Sequence, residues 1–159
     1  MILVLLGTQP LGFPRLLAAV DELIGKGVIS DPVIAQCGHT KYASDRMRTL
    51  DFLPNEEFRR LVGRADAVVT HGGVGSILNC VKAGKKVIAA PRMKRCGEHV
   101  NDHQVQIVRA FHDKGYIKGV FDMRDLEPAL SGLADFVPKP YVSNTERVMK
   151  IVADFIDAR

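Results

Sequence analysis

Tryptophan is absent from this chain of 159 residues, and only 6% of its residues are aromatic. With so few stacking surfaces and no recognised binding motif, no nucleic-acid partner is expected. Cysteine is scarce as well. Cys37, Cys80 and Cys96 supply neither a disulfide framework nor a zinc spacing, and they fit a reducing cytoplasm. Cys37 and Cys80 read as buried, apolar-like residues, and Cys96 falls in a charged loop. No apolar run approaches the ~20 residues that cross a bilayer. The opening residues 1–6 lack a basic region and are too short for a signal peptide. G-x-G-x-x-G and the Gly-Lys-Ser/Thr phosphate loop are both missing from the first turn, Gly7-Thr8-Gln9-Pro10-Leu11-Gly12, so dinucleotide and NTPase readings find no support there. His99 and His103 are four apart, the spacing of two ligands on one helix face. Val100 stands where a zincin places its glutamate, so no metal site is expected.

What is present is a regular alternation of strand-like and helix-like segments. Apolar runs at 2–6, 33–36, 47–53, 67–70, 87–90 and 117–120 read as six strands, with helical patterns between most of them, the first at 16–24. The expectation is an α/β fold, a Rossmann-like doubly wound parallel sheet of about six strands binding its ligand at the carboxyl ends of the strands. At 47% hydrophobic residues the chain can bury one sizeable core, so residues 1–159 are expected to form a single domain. The stretch 138–140, with two prolines, is the one expected hinge. Val148, Ile151, Val152, Phe155 and Ile156 then give an apolar stripe to a final amphipathic helix at about 144–158.

Two polar clusters carry the chemistry. Val68 and Val69 end a strand, and His71-Gly72-Gly73-Val74-Gly75-Ser76 turns the chain into a helical pattern. Glycines there let backbone N–H groups approach an anion, and a helix start adds free donors and a positive dipole end. Ser76 can cap the helix or donate to a phosphate oxygen, and His71 reaches the same anion. Further on, Glu98-His99-Val100-Asn101-Asp102-His103-Gln104 opens another helix with carboxylates and amides suited to vicinal hydroxyls. Two such clusters at successive strand ends face one crevice, as a nucleotide sugar requires. The net charge of +4 is concentrated at Lys82, Lys85, Lys86, Arg92, Lys94 and Arg95, a patch suited to anionic lipid, a pyrophosphate-linked acceptor or an acidic sugar.

Residues 71–76, with Asp102, His103 and Gln104, resemble the C-terminal, donor-binding domain of family 28 glycosyltransferases of the GT-B type. The stretch PRMKRCGEHVNDHQ at 91–104 most resembles the small subunits of two-chain transferases of bacterial exopolysaccharide synthesis, and LVLLGTQPLGFPRLLAAVDEL at 3–23 is similar to the start of such subunits. The resemblance implies the C-terminal half of a GT-B enzyme. It implies a hexosyltransferase moving a sugar from UDP-glucuronate, UDP-galactose or UDP-GlcNAc to a lipid-linked saccharide, with no metal or other cofactor. It further implies a membrane-anchored partner subunit that supplies the acceptor half, and a cytoplasmic, peripheral place at the inner face of the membrane.

By position, His71 and Ser76 take the catalytic places. Gly7, Thr8, Gly72, Gly73 and Gly75 hold the diphosphate, Phe52 and Leu53 hold uracil, and Asn79 stands where relatives grip the ribose with a carboxylate. The resemblance further implies that Asp102, His103 and Gln104, with Glu98, read the sugar; charge and loop placement alone make Arg92 and Arg95 candidate partners for a glucuronate carboxylate. Two other readings stay open at this point. One is a nucleotide-sugar-binding scaffold or regulatory subunit without catalysis, for which Asn79 is the hint. The other is an epimerase-like protein, which normally needs both GT-B domains in one chain.

Overall fold

Ile2–Leu5, four buried apolar residues, form β1, the central strand of a six-stranded sheet in the computed structural model, which describes residues 1–143. The elements follow in the order α1 (Pro14–Gly25), β2 (Val33–Gln36), β3 (Arg48–Leu50), α2 (Asn55–Arg64), β4 (Ala67–His71), α3 (Val74–Lys82), β5 (Lys86–Ala90), α4 (His103–Asp113), β6 (Lys118–Gly119) and α5 (Leu126–Ser131). Every strand pairing is parallel and the strand order is 3-2-1-4-5-6. The doubly wound α/β architecture expected from the alternation is therefore the one observed.

Side chains of β1 alternate between the two faces, as a pleated strand requires. Val4 joins Phe13, Leu16, Leu17 and Val20 of the first loop and α1 in one core. Leu3 and Leu5 join Leu61, Ile77, Cys80 and Val108 of α2, α3 and α4 in the other. Cys37 and Cys80 are buried and Cys96 is exposed, as expected, and burial pushes the Cys80 thiol up to about 12.

The strand order reverses between β1 and β4. The chain leaves β1 through α1 for one side of the sheet and returns through α2 to β4 on the other. The loops beyond these two carboxyl ends must diverge, and that divergence opens a crevice.

Three differences from the sequence reading bear on the site and its surroundings. The strand expected over 47–53 is only Arg48–Leu50; Leu50 and Asp51 carbonyls accept from the Cys37 and Gly38 N–H groups at 2.7 Å each, and Pro54 then caps α2. Phe52 and Leu53 therefore lie in a loop. The helix expected to open at Glu98 starts at His103, so His99 sits in a loop and the two histidines do not share a helix face. The stretch 138–140 is docked rather than free, since the Lys139 N–H donates to the Gly115 carbonyl at 2.9 Å. The amphipathic helix expected at 144–158 lies outside the described residues.

Candidate functional site

At the reversal point, Gly7, Thr8, Gln36, Phe52, Leu53, Phe58, Gly75, Ser76 and Asn79 line one cavity of about 270 Å³. Seven of these nine residues are ones the sequence singled out. They come from the loops after β1 and β3 and from the first turns of α3, so the cavity is built by the crevice itself.

Its anion-seeking wall is the start of α3. Gly73 is the N-cap and provides no side-chain bond, and the N–H groups of Val74, Gly75 and Ser76 have no acceptor among the described residues. These are the donors every helix leaves over at its start, pointing outward with the positive end of the helix dipole. A Cβ built on Gly75 meets nothing within 4 Å, so the space in front of this turn is open.

His71 ends β4 and is 6% exposed. The Gly73 N–H donates to its Nδ1 at 3.1 Å, so the hydrogen of the neutral ring sits on Nε2 and points to the Ser76 hydroxyl oxygen at 3.2 Å. Ser76 accepts there, which leaves its own O–H to donate outward. Ser76 thus serves as an extension of His71 rather than as a helix cap.

The imidazole is clasped between two glycines. A Cβ on Gly7 would come within 2.4 Å of Nε2, and one on Gly73 within 2.1 Å of Cε1. Gly7 also has φ +75°, a region costly for any side chain. These glycines make room for a ring as well as for a ligand.

Burial, then the nearby Arg92 charge, lowers the His71 pKa from 6.5 to about 4. The ring is neutral at pH 7 and contributes a hydrogen bond, not a charge. Unfolded imidazole binds a proton near pH 6.5 that the folded ring refuses, so the folded state is favoured fully above that pH. Stability should fall as pH drops from about 6.5 towards 4, by about 3 kcal/mol from this group. Urea melts at pH 7, 6 and 5, above the range where ordinary carboxylates titrate, check the slope; a flat profile would contradict it.

In the second polar cluster, Glu98 is engaged within the protein. Glu98 is 3% exposed, and its carboxylate accepts two bonds from Arg15, at 2.8 Å each, and one from the Met93 N–H at 3.0 Å. The expected sugar contact by Glu98 is corrected: burial and these three donors occupy it. Arg92 needs the same correction. It is 1% exposed, and its guanidinium donates to the carbonyls of Leu6, Leu11 and Glu98 while lying over the Phe13 ring. It cannot touch a glucuronate carboxylate. Arg95 stays exposed in the 3-10 turn Lys94–Cys96.

Gln104 is 5% exposed. Its Oε1 accepts from the Gly72 N–H at 3.0 Å and the Arg92 N–H at 3.1 Å, joining the loops after β4 and β5. Two N–H donors fix which end is oxygen, so the free end is the amide NH₂. Asp102 accepts from the Lys94 N–H at 2.9 Å and His103 contacts Gln106 at 3.3 Å; both are exposed at the start of α4 and outside the cavity.

The basic run does not form one patch. The Lys85 ammonium donates to the Gly63 and Ala65 carbonyls and that of Lys86 to those of Leu133 and Ala134, whereas Lys94 and Arg95 lie beyond the opposite end of β5.

Two lining residues escaped the sequence reading. Gln36 closes β2, and its side chain accepts from the Gly7 N–H and donates to the carbonyls of Gly7 and Asp51. A lone amide ending a buried strand was the available signal. Phe58 lies on α2 and looks like an ordinary core residue in sequence. Among the described residues, no group of three or more His, Cys, Asp or Glu is placed to hold a metal.

A sequence profile of the glycosyltransferase family 28 C-terminal domain matches residues 1–158. The UDP-N-acetylglucosamine transferase subunit ALG13 of Cryptococcus neoformans var. neoformans serotype D is 28% identical over 103 residues, 62% of this chain and 49% of that protein. The chain thus spans about half the length of the curated relatives it matches. Among solved structures, the glycotransferase of kitacinnamycin superposes with a TM-score of 0.60 at 18% identity, over 84% of this chain and 35% of that one. The solution structure of ALG13 gives 0.57 at 20% identity, over 95% and 93% of the two chains. These likenesses establish the fold.

Proposed function

Because this chain belongs to the glycosyltransferase family 28 C-terminal domain family, we propose that it is the donor-binding half of a UDP-sugar-dependent hexosyltransferase. The observation that carries this reading is the cavity that brings an exposed aromatic ring, Asn79 and the open N-terminus of α3 together. Uracil packs on Phe52, which is 49% exposed and meets the His39 ring edge-on at 5.0 Å; backbone groups at Leu53 hold its edge. Asn79 bonds the ribose hydroxyls with its uncharged amide. The diphosphate rests on the N–H groups of Val74, Gly75 and Ser76, with Thr8 and the Ser76 hydroxyl at its sides. The sugar extends towards the Gln104 amide NH₂, Asp102 and His103.

In the reaction the bond from the anomeric carbon to the UDP oxygen breaks, and a bond from an acceptor hydroxyl to that carbon forms with inversion. Charge developing on UDP is met by donors already in place, which act without a metal and need no reorganisation as the bond breaks. The His71 Nε2–H orients Ser76, so the serine proton faces the departing phosphate. The acceptor proton leaves to a base that this half does not supply.

Several observations favour a second half. The cavity lies open at the sheet's carboxyl rim, where Leu11, Val74 and Val100 expose apolar side chains. The curated relative is by name a transferase subunit. We take the partner to be membrane-anchored, holding a lipid-linked saccharide in polysaccharide synthesis, with this chain peripheral at the cytoplasmic face. No helix among the described residues is long and apolar enough to cross a membrane.

The test is UDP release from UDP-glucuronate, UDP-galactose and UDP-GlcNAc by the chain in producing-cell membranes, against the chain alone. Release with one donor, dependent on both components, supports the reading; release independent of membranes, or none with any donor, contradicts it. Phe52→Ala should weaken UDP and uridine equally, by about tenfold, since stacking is worth roughly 1–3 kcal/mol per base. Titration calorimetry with both ligands checks this.

A further inference from the structure

We infer that Arg92 is a positioning residue for the donor: its buried guanidinium is a fixed positive charge behind the β1 loop that the bound diphosphate neutralises. The inference rests on reading the cavity as the UDP-sugar site.

Charge at the ends of β1 and β5 is unbalanced. The Glu98 carboxylate is taken by the bidentate Arg15 fork and the Met93 N–H. Among the described residues Arg92 is left with carbonyl oxygens alone, those of Leu6, Leu11 and Glu98, and its Nε–H is buried without an acceptor there. Two guanidinium charges face one carboxylate, so the cluster keeps one positive charge. Arginine does not escape by losing its proton. A buried charge without a counter-ion is costly, and a nearby anion would relieve that cost.

The cavity adjoins the partners of Arg92 and offers a place for one. Arg92 Nη2 bonds the Leu6 carbonyl at 2.9 Å, next to Gly7, which lines the cavity and packs on His71. The Arg92 main chain shares the Gln104 oxygen with Gly72, two residues before the α3 N-terminus. Its field reaches the site, since after burial it is the next cause holding the His71 ring neutral. Arg92 thus acts through space, adding to the N–H groups of α3 without touching the ligand. The structure also explains why an arginine stands here, because a planar fork serves several carbonyls at once.

The experiment compares UDP with uridine, whose affinity ratio isolates the diphosphate, in the wild-type chain and in Arg92→Met, Arg92→Lys and Arg15→Gln. Charge removal in Arg92→Met should lower the ratio about tenfold, the effect of a unit charge several ångströms away at intermediate dielectric. Arg92→Lys loses the fork and melts lower, yet keeps the charge, and should hold the ratio within about twofold. Arg15→Gln leaves every Arg92 bond in place and lets Glu98 offset its charge; the ratio should fall about threefold. If Met and Lys lower the ratio alike, or neither does, Arg92 is structural only. Should Arg92→Met not fold, Arg15→Gln decides, and an unchanged ratio there overturns the inference. A wild-type chain that binds UDP no better than uridine would instead sink the donor-site reading itself.

Discussion

Replacing Gly75 by valine should cost UDP affinity about a hundredfold or more while leaving the fold as stable as before. The stability half follows from space and propensity. Gly75 is in the first turn of α3, a Cβ there meets nothing within 4 Å, and glycine is the poorest helix former after proline. The urea midpoint should therefore move by no more than ~0.5 kcal/mol equivalent. The binding half follows from the occupant proposed for that space. The Val74, Gly75 and Ser76 N–H groups have no acceptor among the described residues, and a branched side chain would occupy the place proposed for the phosphate oxygens. About 2.7 kcal/mol of lost binding corresponds to a hundredfold in affinity. Titration calorimetry and a urea melt on the same sample separate the two halves; unchanged UDP binding would place the diphosphate elsewhere.

The opposite pattern is expected two residues earlier, at the N-cap of α3. Gly73→Ala should destabilise the fold by about 3 kcal/mol, because its Cβ would sit 2.1 Å from His71 Cε1 and overpacking of this kind costs roughly 1–3 kcal/mol or more. The ring cannot retreat, since Gly7 closes its other side. His71→Ala alone should cost about 2–3 kcal/mol through the cavity it leaves and the Gly73 N–H it orphans. The double variant should cost at least about 1 kcal/mol less than the sum, because the new methyl enters the space the ring vacated. Additive penalties in urea melts would show that ring and glycine are not in the contact described.

Much of this site was legible before folding because its elements are local in sequence. The His71–Ser76 turn reads as a strand running into a helix with glycines between, and the parallel sheet places it opposite Gly7 and Thr8. Phe52 and Leu53 were found through family resemblance, although the strand thought to carry them ends at Leu50. What sequence did not reveal is how polar side chains divide between ligand and protein. Glu98, Arg92 and Gln104 have the chemistry of ligand contacts, and partners distant in sequence claim most of it. Arg15 is 83 residues from Glu98, and the Leu6 carbonyl is 86 residues from Arg92. Gln36 gave only the faint signal of an amide ending a buried strand, since its bonds run to Gly7 and Asp51 in the loops after β1 and β3. Spacing along one chain cannot report such pairings.

UDP binding where β1 and β4 part is tested most directly by amide chemical-shift mapping. On titrating UDP into the chain, saturable shifts should gather at Gly7, Thr8, Phe52, Leu53, Val74, Gly75, Ser76 and Asn79. The groove between α1 and α5, lined by Glu22, Lys26, Arg124 and Glu127, should stay silent. Shifts gathered in that groove, or none at the start of α3 at saturating UDP, would contradict the account.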